Sequence, residues 1–295
     1  MSARRGGEDG FALAAVVVLL VLVSGLLLDA ALRAKAERQA AWNTSVEVRA
    51  RAASRGGLAH ALVRLRGLQA RTVSAVGGDP ALFRAWNRID TLGPELGEVE
   101  LPGGGRYRLA VRDPASLLPL NHATADELGR LFAAHGVAVE GARAAALSIV
   151  DRRGRVGPFG AVEELRAVEG TSELPREARE QLTVLGDGRV NLNTAAVPVL
   201  AALPGMTDEA VRVVAARRGA SPWRSLFELE AELSAPARAE LQRGFAALSR
   251  RAAFEPALVE IAVEGSVGSA RVRTRLRTVG VRAGASVQVV STVEE

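Results

Sequence analysis

At 295 residues the chain is long enough for two domains of ordinary size. Apolar residues make up 48% and aromatics only 4%, so any core must be aliphatic and alanine-rich. The formal charge of +5 and the pI near 10.8 rest almost wholly on arginine, Lys35 being the one lysine. That excess suits a nucleic-acid or acidic partner, and it is equally what compositional bias produces. The lack of cysteine excludes disulfides and thiolate metal sites. His60, His122 and His135 are too scattered for a His/Cys zinc site.

Phe11 to Leu28 is an uncharged apolar run broken only by Ser24 and Gly25. Extended past Asp29 to Leu32 it gives about 20 residues, or ~30 Å of helix, which matches a hydrocarbon core of ~30 Å. No small-residue cleavage site follows the run, as a secretory signal requires. The helical pattern instead continues, and predicts one long helix from 11 to about 75. Arg4 and Arg5 are offset by Glu8 and Asp9, while Arg33, Lys35 and Arg38 lie beyond the run, so charge bias sets no orientation. The polar leader ending in Gly10, with Phe11 opening the apolar helix, resembles a type IV prepilin leader. The resemblance implies cleavage after Gly10 and methylation of Phe11. Counted from Phe11, Ala15 occupies the fifth position, where most pilins carry a glutamate that pairs with the terminus of a neighbour already in the fibre. A first subunit has no such neighbour, and its buried carboxylate would be costly. Ala15 therefore points to a tip or initiating subunit.

The middle of the chain is duplicated. Leu120-Asn121-His122-Ala123-Thr124 matches Leu192-Asn193-Thr194-Ala195-Ala196, and Pro158-Phe159 matches Pro222-Trp223. The offsets are about 72 and about 64 residues, as expected of one duplicated supersecondary unit with short indels. Thr124 with Glu127 reads as a capping box. In the second copy Ala196 takes the cap position and Pro198 the first turn. Leu203-Pro204-Gly205-Met206 reads as a tight link between helices, and Glu169-Gly170-Thr171 as its counterpart in the first copy. This helix-hairpin-helix pattern raises DNA binding, in which the hairpin amides would hold a phosphate. Asp208 and Glu209 after the hairpin suit the helix dipole but repel that phosphate.

The flanks read as strands. Val99 and Leu101, a Pro-Gly-Gly-Gly turn, then Tyr107, Leu109 and Val111 make a hairpin. Val259, Ile261 and Val263 alternate, Gly265 to Gly268 reads as a turn, and Val272, Thr274, Leu276 and Thr278 alternate after it. Val287 and Val289 mark a last strand. Arg271, Arg273, Arg275 and Arg277 share one face. With Glu260 and Glu264 across from them, they form either a solvated face or a docking surface for an acidic partner.

Taken in order, these features resemble the GspK family, the minor pseudopilin K of type II secretion. Its carriers are Gly10-Phe11 with Ala15, Asp113 before Leu120-Asn121, Gly157-Pro158-Phe159 with Val162-Glu163-Glu164-Leu165, Leu182-Thr183-Val184, and Asn191-Leu192-Asn193-Thr194-Ala195 leading to Leu203-Pro204-Gly205-Met206. The resemblance implies an α+β fold. It has a pilin-like long N-terminal helix and antiparallel sheet, interrupted by an inserted all-α domain of two helix-hairpin-helix, SAM-like modules. The expected divisions are a leader 1–10, a membrane part 11–32, helix and first strands 33–115, an inserted domain 116–250 (repeats 116–187 and 188–250), and closing strands 251–295. It further implies a tip subunit that starts the pseudopilus with the minor pseudopilins GspI and GspJ. That subunit would be processed by prepilin peptidase and anchored by a single pass in the bacterial inner membrane, with its bulk in the periplasm. Some family members hold calcium in an acidic loop. Here that loop is Asp151 to Gly157 with Asp151 as its only acidic residue, so the site is not carried over. No catalytic constellation stands out, so the expectation is a non-enzymatic subunit without cofactor, metal or nucleic acid. The alternative is a membrane-tethered helix-hairpin-helix DNA receptor of competence type.

Overall fold

The computed structural model describes residues 8–70, 80–268, 273–283 and 286–294. The chain opens with one helix, α1 (Glu8–Ala70), of 63 residues, about 95 Å long at 1.5 Å per residue. The stretch 71–79, into which the helix was expected to run, lies outside the described residues. Two short helices, α2 (Pro80–Trp86) and α3 (Leu92–Leu96), lead into strands β1 (Glu98–Glu100) and β2 (Gly105–Arg112).

Helices and two-residue strands then occupy the chain to Ala253. In order they are β3 (Leu118–Pro119), α4 (Ala125–Ala134), α5 (Val139–Val156), a 3₁₀ turn (Val162–Ala167), α6 (Arg176–Glu180) and β4 (Leu182–Thr183). After them come β5 (Val190–Asn191), α7 (Val197–Ala202), α8 (Asp208–Arg217), α9 (Leu226–Glu232), α10 (Ala235–Arg251) and β6 (Ala252–Ala253). The chain closes with β7 (Leu258–Val267), β8 (Arg273–Ala283) and β9 (Ser286–Glu294). The main sheet is five-stranded in the order β1-β2-β7-β8-β9 and antiparallel throughout. A long N-terminal helix lies across this sheet, so the fold is α+β as the sequence implied.

Small residues let α1 approach the sheet. Val46, Ala50, Ala53, Gly57, Ala61 and Leu65 are buried at spacings of three and four, the period of one helix face. Gly57 falls on the same face, where a Cβ would lie 2.6 Å from Val263 and 2.7 Å from the Tyr107 ring. From the sheet, Gly265 meets the Ala50 carbonyl and the Ser54 amide, with room for no side chain. Gly265 was expected in a turn; it is instead inside β7, and the turn begins at Gly268. Strand alternation fills the interface with Tyr107, Leu109, Val111, Val259, Ile261 and Val263. Val287 of β9 is buried as well, whereas Val289 is exposed.

A second buried cluster runs from Leu118 to Ala252 and includes Phe132, Ile149, Trp223 and Leu241. Both sequence copies contribute to it. The first copy begins and ends in the parallel pair β3–β4, the second in the parallel pair β5–β6. The hairpin link of the first copy also differs from expectation. Leu203 to Met206 joins α7 to α8, so its counterpart is the α4–α5 connection at His135-Gly136, where Gly136 has φ +83°. Glu169-Gly170-Thr171 instead follows the 3₁₀ turn, and Thr171 Oγ1 donates to the carbonyls of Leu165 and Val168. A glycine with positive φ occurs at both places, Gly136 and Gly170, and only the helices on either side tell them apart.

Candidate functional site

The first half of α1 is bare. Leu13, Leu19, Leu20, Leu22, Leu26 and Leu27 are each at least 60% exposed. Among the described residues this is one helix long and apolar enough to cross a membrane, with none of its most apolar window buried. Gly10 and Phe11 lie in the first turn and a half of α1. Ala15 is exposed a turn or two further on, in an apolar patch with Ala14, Val18, Leu19 and Leu22. A glutamate at 15 would sit beside Val18, Leu19 and Leu22 on its own helix.

The duplicated segments hold their turns by the same contacts. Asn121 Nδ2 donates to the Phe159 carbonyl at 2.9 Å, and its Oδ1 accepts from the Phe159 amide at 2.7 Å. Asn193 does the same with Trp223 at 2.8 and 2.7 Å. Arg152 stacks over Phe159 and Arg217 over Trp223, each 4.0 Å from the ring centre. Arg153 donates to the carbonyls of Leu120 and Ala123, and Arg218 to those of Leu192 and Ala195. Burial pushes both of these guanidiniums below the usual arginine range. The recurrence of Arg-Arg-Gly at 152–154 and 217–219 is a signal the sequence reading missed.

A buried polar junction ties the helical segment to the sheet side. Asp113 is 2% exposed and follows β2. Its Oδ2 accepts from Asn191 Nδ2 and Thr194 Oγ1, both at 2.8 Å, and its Oδ1 from the Ala115 amide at 2.9 Å. Asn191 Nδ2 also donates to Asn87 Oδ1 at 3.1 Å. Burial raises the Asp113 carboxyl above its ordinary value, and the bonds from Thr194, Asn191 and Ala115 pull it only partway back. A second junction joins the first copy to the end of the second. Glu127, whose side chain is 3% exposed, accepts a forked pair from Arg251 at 2.9 and 2.8 Å while capping the Thr124 amide at 2.7 Å.

On the outer sheet face Glu264 pairs with Arg273 and Arg275, and buried Glu260 with Arg112 and Arg277. Desolvation pushes the Glu260 carboxyl up, but the two arginines outweigh it and hold it below the usual range. Arg271 and Val272 lie outside the described residues. At the start of α8, Thr207 caps the helix, and Glu209 accepts from Ser234 through its amide at 2.7 Å and its hydroxyl at 2.6 Å. The helix start that a phosphate would need thus carries two carboxylates, Asp208 and Glu209. Asp151 pairs with Arg155 at 2.6 Å.

In the segment from β5 to near the end of α10, residues 190–248 match the family described as Type II secretion system (T2SS), protein K. The chain is similar to protein K of type II secretion. The matched segment contains Asn191, Asn193, Thr194, Arg217, Arg218 and Trp223, so the turn contacts of the second copy and one side of the polar junction fall inside it, while Asp113 and Asn87 lie outside. Beyond it the likeness is one of fold. A chain of the crystal structure of the GspK-GspI-GspJ complex from the enterotoxigenic Escherichia coli type 2 secretion system superposes with a TM-score of 0.50 at 15% identity. The match covers 83% of this chain and 99% of that one. No curated protein sequence matches the chain.

Proposed function

We propose that this protein is the minor pseudopilin K of a type II secretion system, placed at the tip of the pseudopilus to start its assembly. The observation that carries the reading is the combination of a bare apolar half-helix with a sheet-packed second half, on a chain whose residues 190–248 match protein K. Residues 1–10 are the leader, removed by prepilin peptidase between Gly10 and Phe11, and Phe11 is then methylated. Residues 11–32 span the inner membrane, and the remainder stands in the periplasm as a non-enzymatic assembly part. The pilin-like portions are 33–115 and 251–295. The portion between, 116–250, is the inserted pair of helix-hairpin-helix, SAM-like modules, divided near 187. Ala15 suits a subunit with no predecessor, because a carboxylate there would stand unpaired among apolar side chains about one turn inside the span, at a cost of at most about 2.5–3.5 kcal/mol, the figure for an acid at the bilayer centre. The inserted bulk, larger than a whole pilin head, would clash if repeated along a fibre and is allowed at its end. As in the GspK-GspI-GspJ complex whose chain shares this fold, the partners are minor pseudopilins of the GspI and GspJ kind.

The test is mass spectrometry of the membrane-extracted protein together with its co-expressed partners. The expected result is a chain beginning at methylated Phe11, recovered in a defined low-copy complex and forming no fibres alone. A retained Met1 terminus, or long fibres of this chain alone, overturns the reading.

A further inference from the structure

The outer face of the sheet runs into a groove of about 780 Å³. One wall is Arg112 of β2 and Arg277 of β8; the other is Arg166 in the 3₁₀ turn with Arg176 and Arg179 of α6. Two acids, Glu163 and Glu180, share the lining. We propose that this groove docks an acidic segment of another protein, one presenting a pair of carboxylates to Arg166 and Arg179.

Most of the groove's arginines are already engaged. Arg112 and Arg277 both converge on Glu260, and Arg176 pairs with Glu180 at 2.6 Å. Among the described residues Arg166 and Arg179 have neither an ion pair nor a side-chain hydrogen bond. Arg179 is also half-buried as a residue, and it lines the groove without an acceptor for its guanidinium. A planar guanidinium takes a carboxylate through two parallel bonds, which is the contact both residues lack. The field around them favours an anion too, since the lining and its neighbour Glu260 bring five arginines against three glutamates.

The same geometry separates a protein from a lipid headgroup. Strand β2 climbs along α1 away from its apolar end. Gly105 sits against Ala53, and two residues later Tyr107 sits against Gly57. Arg112 lies further along again. From Leu32 to Gly57 is already about 38 Å of helix, several times the ~8 Å over which charges act at physiological salt. A long polyanion is disfavoured by Glu163 and Glu180, whose charges would face its phosphates, whereas a short acidic segment need engage only the two free arginines.

The full chain in detergent micelles is titrated with fluorescein-labelled hexaglutamate at physiological salt, read by anisotropy. The expected result is saturable binding that weakens at least tenfold in Arg166→Gln/Arg179→Gln and less than twofold in Arg212→Gln/Arg250→Gln, an equal charge change on exposed sites elsewhere. The reversed variant Arg166→Glu/Arg179→Glu should instead bind labelled hexalysine, which an unfolded variant would not do selectively. Equal weakening in both glutamine variants, or no hexaglutamate binding, overturns the proposal. So does displacement of the peptide by duplex oligonucleotide, inorganic phosphate or anionic vesicles at equal charge. The outcome is independent of cleavage at Gly10, so failure here and failure of the secretion reading are distinguishable.

Discussion

Replacing Arg251 by methionine probes how the two copies hold each other. In the native chain the Glu127 carboxylate, 3% exposed, takes two bonds from Arg251 and one from the Thr124 amide. The substitution leaves the last alone and also strips the Gly188 carbonyl of its donor at 2.6 Å. Removing one partner of a buried pair costs about 3–5 kcal/mol. The nearby Arg153, whose charge is coupled to Glu127, places the expectation near the lower end, about 3 kcal/mol. Taking Glu127 to leucine as well removes the stranded charge, so the double variant should lose the capping bond, about 1 kcal/mol, together with the donor to the Gly188 carbonyl, about 1 kcal/mol more. Hydrogen-exchange mass spectrometry of the full chain reads this locally. Peptides from α4 and from the end of α10 should exchange roughly 100-fold faster in Arg251→Met, since each 1.4 kcal/mol is about tenfold, and recover part of that protection, about fivefold, in the double variant. A change in exchange below threefold in Arg251→Met, or a double variant no better protected than the single, would refute this coupling.

Two further perturbations test the sheet side. Gly265→Val should lift α1 from the sheet, because the new side chain would meet the Ala50 carbonyl and the Ser54 amide; a loss of about 1–3 kcal/mol should appear as faster exchange across residues 46–65, and unchanged exchange there would rule out the close approach. Asp113 has its carboxyl raised in the folded state, so the fold holds that proton to higher pH than the unfolded chain does and loses stability as pH climbs from the ordinary carboxylate range through the raised value. Subtracting the melting temperatures of Asp113→Asn from those of the native chain should isolate this falling slope, alongside a constant loss of about 1–3 kcal/mol from one mismatched acceptor; a difference that stays flat with pH would show that the carboxyl is not raised.

Local signals in the sequence translated directly into structure. The Thr124–Glu127 capping box forms with both of its bonds, because caps depend on residues three apart. The glycine turn between β1 and β2 and the alternation of Val259, Ile261 and Val263 behave likewise. Placement failed where meaning depends on a distant neighbour. Gly265 reads as a turn residue until α1 is seen pressed on it. The Asp113–Asn191 bond joins residues 78 apart in the chain, and no short-range pattern marks it. Asn121 and Asn193 stand out as repeated letters, but their clamping of a backbone some 30 to 38 residues away requires the fold. The arginines of the groove come from β2, the 3₁₀ turn, α6 and β8, so only the row on β8 is visible in the sequence.

The chain leaves the main sheet after Arg112 and returns to it at Leu258, and Arg112 stands opposite Glu260 in adjacent strands. Departure and return are therefore about one strand spacing apart, ~4.8 Å. A pull or push delivered along α1 passes through the Ala50–Leu65 contact into the strands and crosses from β2 to β7 directly. The helical lobe branches off at that crossing and is tied back to the sheet side by the Asp113, Asn87 and Asn191 bonds. It can be bulky, lengthened or engaged by another molecule without parting the pairing of β2 with β7.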